Sequence, residues 1–559
     1  MIETKRTEER NPASMMNALP LSKVSRWGGS PRAYDVATAI LVAALVAVVL
    51  WTFRDYAISN DEPVQHHYGE LILRYYGSWF QDRSVFSFDN LYLYGGLFDI
   101  VAVTLSHVIP IEPYQLRHIL CALIGVSGIG AAAATARLIS GPRAGLIAAV
   151  ALSLCGAWYG TIFNHTKDIP FAAAMIGATL ILIRFARALP KPRAGDIAAL
   201  GLLIGAALGM RVLGLLLLIY IGFAIALYMP QPWLGRGRAC WRFAAEALLR
   251  LLPAMLLAYV IMVFAWPWAA LSPLNPIRGL FAFSEFHYQI RTILDGTVYE
   301  MAHVPRLYVP IYILIRLPLL TLFGAALGVV FALLPTGSTQ MRRRDIALVA
   351  LTVIFPLACQ VIWDGPAFTG LRHFLFVVPA LAVLAGVGLD TALARLTMRN
   401  GLAACAASIA IIACFLWNAT TLIELHPYEY LFYNPLVGGL QGASRRYVLD
   451  YWFDSMPEAI HELERYVRLT DATGPSHRIY SVAVCGAPLS FEKTVTLPQL
   501  RYDFMPRWDQ SQFFIAPTHM NCDRDLGGKV VGVVKRLGVA IAYVKDRRAL
   551  TGPLATAAR

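Results

Sequence analysis

The sequence predicts an all-α polytopic membrane protein of about eleven transmembrane helices, with a small α/β domain at its C-terminal end. Three observations carry the fold class. Of 559 residues, 57% are hydrophobic and only 15% are charged, where a soluble domain has about 25% charged residues. Apolar runs of about 17–25 residues recur, the length that crosses a hydrocarbon core. Lys and Arg cluster in the short segments between those runs, as the positive-inside rule requires. The formal net charge of +13 is thereby accounted for by span ends, and no nucleic-acid partner is expected.

Residues 1–33 form a basic tail with Lys5, Arg6, Arg10, Lys23, Arg26 and Arg32. It is too long to be the start of a cleaved signal peptide and is expected to be cytoplasmic. Residues 34–423 form the transmembrane domain. Val36 to Phe53 runs outward. Residues 54–117 are the first outer loop, dense in Tyr and Trp as headgroup-level segments are. Within it, Leu97 to Pro110 is apolar but short and carries Asp99, which reads as an interfacial or re-entrant helix. Ile119 to Ala136 returns onto Arg137 and Arg143. Ala144 to Phe163 goes out, and Ile169 to Ile183 comes back to Arg184 and Arg187. Ile197 to Met229 is too long for one span and has Arg211 at its middle, so two short spans with Arg211 at the outer turn are expected. Leu251 to Trp266 goes out to a second outer loop, residues 267–308, which contains Ser284-Glu285-Phe286-His287-Tyr288. Val309 to Leu334 comes in to Arg342-Arg343-Arg344. Ile346 to Ile362 goes out towards Trp363-Asp364-Gly365-Pro366, Leu371 to Ala394 comes in, and Leu402 to Leu422 goes out. The count is eleven spans, with the N-terminus inside and the C-terminus outside.

Residues 424–559 form the outer soluble domain. Ser455 to Tyr466 is amphipathic, with Ile460, Leu463 and Val467 on one face. Ile479 to Val484 and Val530 to Val544 read as strands. Of eight cysteines, six fall in or beside apolar spans without metal-ligand spacing. Cys485 and Cys522 lie in the polar region and can pair if it is outside the cytoplasm.

The chemistry is expected at the outer helix ends. Asp61 and Glu62 follow the first span, with His66, His67 and Tyr68 just beyond. Adjacent residues cannot share a helix face, so the two carboxylates should differ in role: one a general base for a hydroxyl, the other a binding or supporting group. Helix capping by Asn60 or Asp61 is the competing reading, and it is compatible with the first. His165-Thr166-Lys167-Asp168 is a second acidic point, where Asp168 either caps the next helix or joins the site beside a phosphate-binding Lys167. Arg211, Arg316, Arg372 and His373 are cations that should face an anion or a polar cavity unless they snorkel to the headgroups. Carboxylates for an acceptor and cations for a phosphate leaving group are what a glycosyl-phosphate transfer requires. No Walker loop, Rossmann glycine pattern or zinc signature is present.

These motifs resemble a known family. An Asp-Glu pair after the first span, followed by His and Tyr-Gly, looks like the motif of the protein O-mannosyltransferase and aminoarabinose-transferase-like group, polytopic glycosyltransferases of the C-type fold. Asn164 to Phe171 is similar to the Asn-Pro-Lys-Asp-Ile-Pro-Phe motif of the bacterial relatives, with His165-Thr166 departing from it. Arg372-His373-Phe374 and Tyr433 to Gly439 are also similar. The resemblance covers about residues 35–455. It implies a polyprenyl-phosphate sugar donor and a lipid, glycan or protein acceptor on the outer face of a bacterial inner membrane. It implies Asp61 as catalytic base, Glu62 in support, and Asp168 as second carboxylate. Lys167 and Arg372, with His373, would meet the lipid phosphate; Arg211 joins them on topology alone. His66, His67, Tyr68 and His165 are the expected acceptor or sugar contacts. No metal ligands are expected; a divalent cation, Mg or Mn, bridging carboxylate and phosphate fits the chemistry but no pattern fixes one. The alternative from another class is a transporter or flippase of a lipid-linked sugar, without chemistry.

Overall fold

The computed structural model describes residues 30–230, 237–285, 290–334, 339–363, 365, 367–471 and 479–551. Residues 1–29 of the basic tail, Arg236, Phe286 to Tyr288, Asp364 and Pro366 lie outside the described residues.

The transmembrane part comprises α1 (Pro31–Thr52), α2 (Asp61–Gly77), α3 (Leu97–Ser106), α4 (Pro113–Ser140), α5 (Pro142–Ser153), the single turn α6 (Gly156–Tyr159), α7 (Asp168–Arg187), α8 (Ala194–Leu208), α9 (Leu216–Tyr228), α10 (Gly237–Ala265), α11 (Pro267–Leu271), α12 (Asn275–Glu285), the hairpin β1 (Arg291–Leu294) and β2 (Thr297–Glu300), α13 (Tyr308–Arg316), α14 (Leu319–Leu333), α15 (Gln340–Trp363), α16 (Val378–Arg399) and α17 (Gly401–Leu425). The chain is a polytopic helical membrane protein: among the described residues seven helices are long and apolar enough to cross a membrane, and eight if one bent pair is a single span.

That bent pair corrects one expectation. Val309 to Leu334 is not a straight span but two helices, α13 and α14, which meet at 114°. Pro318 begins the second and cannot continue the backbone ladder of the first. Three other expected spans are shorter apolar helices, at Pro142–Ser153, Ala194–Leu208 and Val212–Tyr228. As expected, Leu97–Ser106 is a short apolar helix and Arg211 sits in the break between α8 and α9.

The helix ends fall into two polar layers. One layer joins the start of α1 to the end of α4 (Asp35–Arg137, 2.6 Å), the start of α5 to α16 (Arg143–Asp390, 2.6 Å), and the end of α7 to the start of α8 (Arg184–Asp196, 2.8 Å). Arg187 and Tyr228 share the buried Asp345 of α15 in the same layer. The opposite layer holds the other ends of α7, α8 and α16, and there the candidate site lies. Burial follows position: α7 and the span at 372–399 are each 83% buried, whereas α1 and α17 are 6% and 11% buried and form the periphery. Helices α14 and α16 approach closely because Gly324 and Gly328 of a G-x-x-x-G repeat face Ala385 and Gly388; a Cβ on Gly388 would lie 2.0 Å from the Gly324 carbonyl oxygen.

The outer domain comprises α18 (Gly439–Ala443), α19 (Met456–Thr470), β3 (Tyr480–Val484), α20 (Pro488–Thr494), β4 (Leu500–Asp503), β5 (Phe513–Pro517), β6 (Lys529–Arg536), β7 (Val539–Asp546) and α21 (Arg548–Thr551). Its sheet has the order β4-β3-β5-β7-β6, parallel across β4-β3-β5 and antiparallel across β5-β7-β6. Both predicted strand regions are present, the second as a hairpin whose Leu537 and Gly538 take positive φ, as a two-residue turn matched to strand twist requires. Ile460, Leu463 and Val467 of α19 are buried, so the predicted apolar face is the packed one. Cys485 and Cys522 form a disulfide.

Candidate active site

Adjacent positions on α2 point in different directions, and this separates Asp61 from Glu62. Glu62 is completely buried. Its Oε2 accepts from the Ser59 backbone N–H at 2.8 Å and pairs with His118 Nε2 at 3.2 Å. Ser59 and Glu62 thus have the spacing and backbone bond of a capping box. Asn60 makes no side-chain cap bond, so capping falls to Glu62 rather than to Asn60 or Asp61. The Asp61 side chain is 35% exposed and accepts from Arg372 Nη2.

Arg372 stands just before α16 and joins the starts of α2 and α7, 311 and 204 residues away in sequence. Its Nε donates to Asp168 Oδ2 at 3.0 Å, and its guanidinium lies 4.4 Å over the Trp452 ring. Asp168, the first residue of α7, also accepts from Arg211 Nη2. Asp61, Arg372, Asp168 and Arg211 therefore form one alternating chain of charge. Arg372 stands between the two carboxylates and bonds to both. Among the described residues no group of three or more His, Cys, Asp or Glu side chains is placed to hold a metal. His373 packs edge-on against Phe368 at 4.5 Å beside this chain.

Lys167 points to a neighbouring centre. Its Nζ lies 3.6 Å from Asp99 Oδ2 and over the rings of Tyr94 (4.9 Å) and Tyr68 (5.4 Å). Arg117 completes this centre, donating to Asp99 at 2.8 Å and to Thr166 Oγ1 at 3.1 Å. All of these charged groups are buried, and burial lowers the Lys167 pKa from its ordinary value. Lys167 Nζ, Arg117 Nε and Nη1, and Arg211 Nε make no hydrogen bond among the described residues.

The outer domain closes the site from above. His165 Nε2 bonds Tyr451 Oη, its Nδ1 meets Asn164 Oδ1 at 3.1 Å, and its ring stands 4.1 Å from Trp452. Asn164 Nδ2 donates to Asp454 Oδ2 at 3.0 Å. Burial pushes the His165 pKa well below its ordinary value and the Asp454 pKa well above. Burial therefore disfavours the charged form of both groups.

The structure thus brings together Asp61, Asp168, Arg211 and Arg372, with His373 and His165 beside them. It places Lys167 and Tyr68 in the Asp99 centre, where the Tyr68 hydroxyl donates to the Tyr94 carbonyl at 3.0 Å. His66 and His67 face Glu70, at 3.7 and 3.0 Å. Arg316, expected among the site cations, instead donates to the Tyr430 and Val448 carbonyls and stacks 4.7 Å over Tyr433. It ties the bend between α13 and α14 to the outer domain. Arg117, His118 and Asp454 stand in none of the sequence motifs described above. The polar Arg117-His118 pair immediately before a span was the available signal for the first two.

Residues 115–268 match the family model of dolichyl-phosphate-mannose-protein mannosyltransferases. Over those residues the match agrees with the resemblance read from the sequence. The matched stretch includes Lys167, Asp168 and Arg211, but not Asp61 or Arg372. Among solved structures, the chain is similar to ArnT from Cupriavidus metallidurans bound to undecaprenyl phosphate, at 16% identity over 92% of this chain and 99% of that one, with a TM-score of 0.46. The apo form of that protein gives 18% identity over the same shares and a TM-score of 0.47. The Archaeoglobus fulgidus oligosaccharyltransferase in its apo form gives 13% identity over 83% of this chain and 63% of that one, with a TM-score of 0.44. The comparison with curated proteins gave no match.

Proposed function

We propose that the protein is a membrane glycosyltransferase that moves a sugar from a polyprenyl-phosphate donor to an acceptor hydroxyl at the outer face of a bacterial inner membrane. The observation that carries the reading is a surplus of buried cationic donors. Arg117, Lys167, Arg211 and Arg372 face the carboxylates of Asp61, Asp99 and Asp168, and Lys167 Nζ, Arg117 Nε and Nη1, and Arg211 Nε have no hydrogen-bond partner among the described residues. Buried polar groups left without partners are costly, and a phosphate oxygen would satisfy them. The family match over residues 115–268 supports the same donor class.

On this reading the phosphate docks against Arg372 and Arg211, with Lys167 behind them, and competes with Asp61 for the Arg372 guanidinium. Asp61, the carboxylate of the chain open to solvent, then accepts the proton of the acceptor hydroxyl. The hydroxyl oxygen bonds to the anomeric carbon as the bond from that carbon to the phosphate oxygen breaks. The electron pair leaves with the lipid phosphate, which stays paired to the arginines. A single displacement inverts the anomeric configuration. General-base help of this kind contributes about 100- to 10,000-fold. Glu62 holds the first turn of α2, and so Asp61, in place. The disulfide in the outer domain and the arginine-rich opposite layer support an extracytoplasmic C-terminal domain and a cytoplasmic N-terminus.

The test is release of free lipid phosphate from a panel of labelled polyprenyl-phosphate sugars, for the wild type and Asp61→Asn. Release that disappears in the variant supports the reading. Donor binding with no release by either protein, with acceptors supplied, favours a transporter of lipid-linked sugar instead. Failure to bind any donor overturns the lipid-linked reading.

A further inference from the structure

A cavity of about 900 Å³ lies on another face of the molecule and shares no lining residue with the acidic and cationic site. Its walls are the outer part of α17, the start of α14 at Leu319 and Leu320, the segment from Phe432 to Gln441, and Leu537 at the tip of the β6–β7 hairpin. The α17 residues that line it run from Cys414 to Leu425, about 16 Å of helix at 1.5 Å per residue. One leaflet contributes about 15 Å of hydrocarbon, so the cavity is one leaflet deep. Because α17 is only 11% buried, the cavity opens on the lipid side of the protein.

The lining is graded along this depth. Leu319, Leu320, Trp417 and Phe432 are apolar. Asn418 is an amide in a lipid-facing span with no hydrogen-bond partner among the described residues. An unpaired amide at such a depth is unfavourable unless something in the cavity bonds to it. Glu424 stands about 9 Å higher along the helix. It is the one charged residue among the lining residues, it is exposed, and no cation pairs with it among the described residues. Gln441 at the roof donates to the Leu537 carbonyl at 3.3 Å, which leaves its second amide hydrogen available.

We propose that this cavity is a binding site for one outer-leaflet aminophospholipid with a phosphoethanolamine headgroup. The acyl chains lie against Leu320 and Trp417, Asn418 meets a glycerol ester, Gln441 meets the phosphate, and the ammonium pairs with Glu424. Charge decides the occupant. A lone carboxylate at the rim attracts the ammonium of a zwitterionic phosphoethanolamine headgroup and repels an anionic phosphoglycerol or polyprenyl-phosphate head, and no lining cation reverses this. The inference does not rest on the glycosyltransferase reading.

The test is native mass spectrometry of delipidated protein titrated with palmitoyl-oleoyl phosphatidylethanolamine or with phosphatidylglycerol of the same chains. The wild type should retain one phosphatidylethanolamine about tenfold more tightly than phosphatidylglycerol, the scale of one charge-assisted contact. Glu424→Gln should abolish that preference without changing thermal stability, since the side chain is exposed and unpaired. Leu320→Trp, which fills the cavity, should weaken retention of both lipids. Equal binding of the two lipids by the wild type overturns the proposal. So does a preference that survives Glu424→Gln, or retention that survives Leu320→Trp in a protein of unchanged melting temperature. Displacement of the bound lipid by undecaprenyl phosphate at equal concentration would identify the cavity as a donor-chain site instead.

Discussion

Arg372→Lys tests the charge chain most directly. Arg372 meets two carboxylates with different nitrogens: Nη2 on Asp61 and Nε on Asp168, the latter at 3.0 Å. A lysine ammonium keeps the charge but not the planar fork, so it satisfies one carboxylate and leaves the other. A hydrogen bond to a charged group contributes about 1.5–3 kcal/mol, and each 1.36 kcal/mol is tenfold in rate. The stack on Trp452 at 4.4 Å adds about 0.5–2 kcal/mol. On the proposed function, kcat/KM for lipid-phosphate release should fall by about 30- to 5,000-fold. Stability should fall much less. Breaking a buried pair outright costs about 3–5 kcal/mol, but Asp168 keeps Arg211 and Asp61 is partly exposed. Donor turnover and a thermal melt of the same preparation check both halves. Wild-type kcat/KM in Arg372→Lys would refute the bidentate role, and a collapsed melt would show Arg372 to be a folding residue first.

The adjacent carboxylates should separate cleanly in the same two assays. Glu62→Gln removes the anionic partner of buried His118 and weakens the Ser59 bond, so it should lower stability by about 2–4 kcal/mol while folded protein keeps most of its turnover; Asp61→Asn should do the reverse. A pH-dependent contact lies where the first span leaves the membrane. His426 Nδ1 meets Glu429 at 2.7 Å and its Nε2 meets Asp55 at 3.1 Å, and the Glu429 hydrogen bond is the main cause that raises the His426 pKa. The contribution is then fully present below the ordinary histidine value of about 6.5 and is lost as pH rises through the raised value. Melting temperature should fall across that range in the wild type and lose that component in His426→Gln; parallel curves would exclude the linkage. The Cys485–Cys522 bridge spans 37 residues, which on chain entropy stabilises the outer domain by about 4 kcal/mol. The double serine variant should show faster limited proteolysis between β3 and β7, and an unchanged cleavage rate would count against it.

Much of this arrangement was legible because it is governed by local rules. The seven long spans follow from apolar length, and the burial of Ile460, Leu463 and Val467 follows from a period that any helix must obey. The split between Asp61 and Glu62 was also legible, since 100° of rotation per residue forbids a shared face. What stayed hidden depends on distance in sequence. Arg372 bonds to residues 311 and 204 positions earlier, and nothing in its own neighbourhood says that it reaches them rather than the headgroups. Lys167 and Asp168 show the same limit at short range. Asp168 opens α7 and points at the arginines, while Lys167, the N-cap one residue before, sends its side chain to the Asp99 centre. Arg316 looked equivalent to Arg372 at a span end, yet the bend at Pro318 turns it towards two outer-domain carbonyls. A straight α13–α14 span would have carried Arg316 past them. Beside that bend Arg316 holds the outer domain, while Arg211 and Arg372 both bond to Asp168.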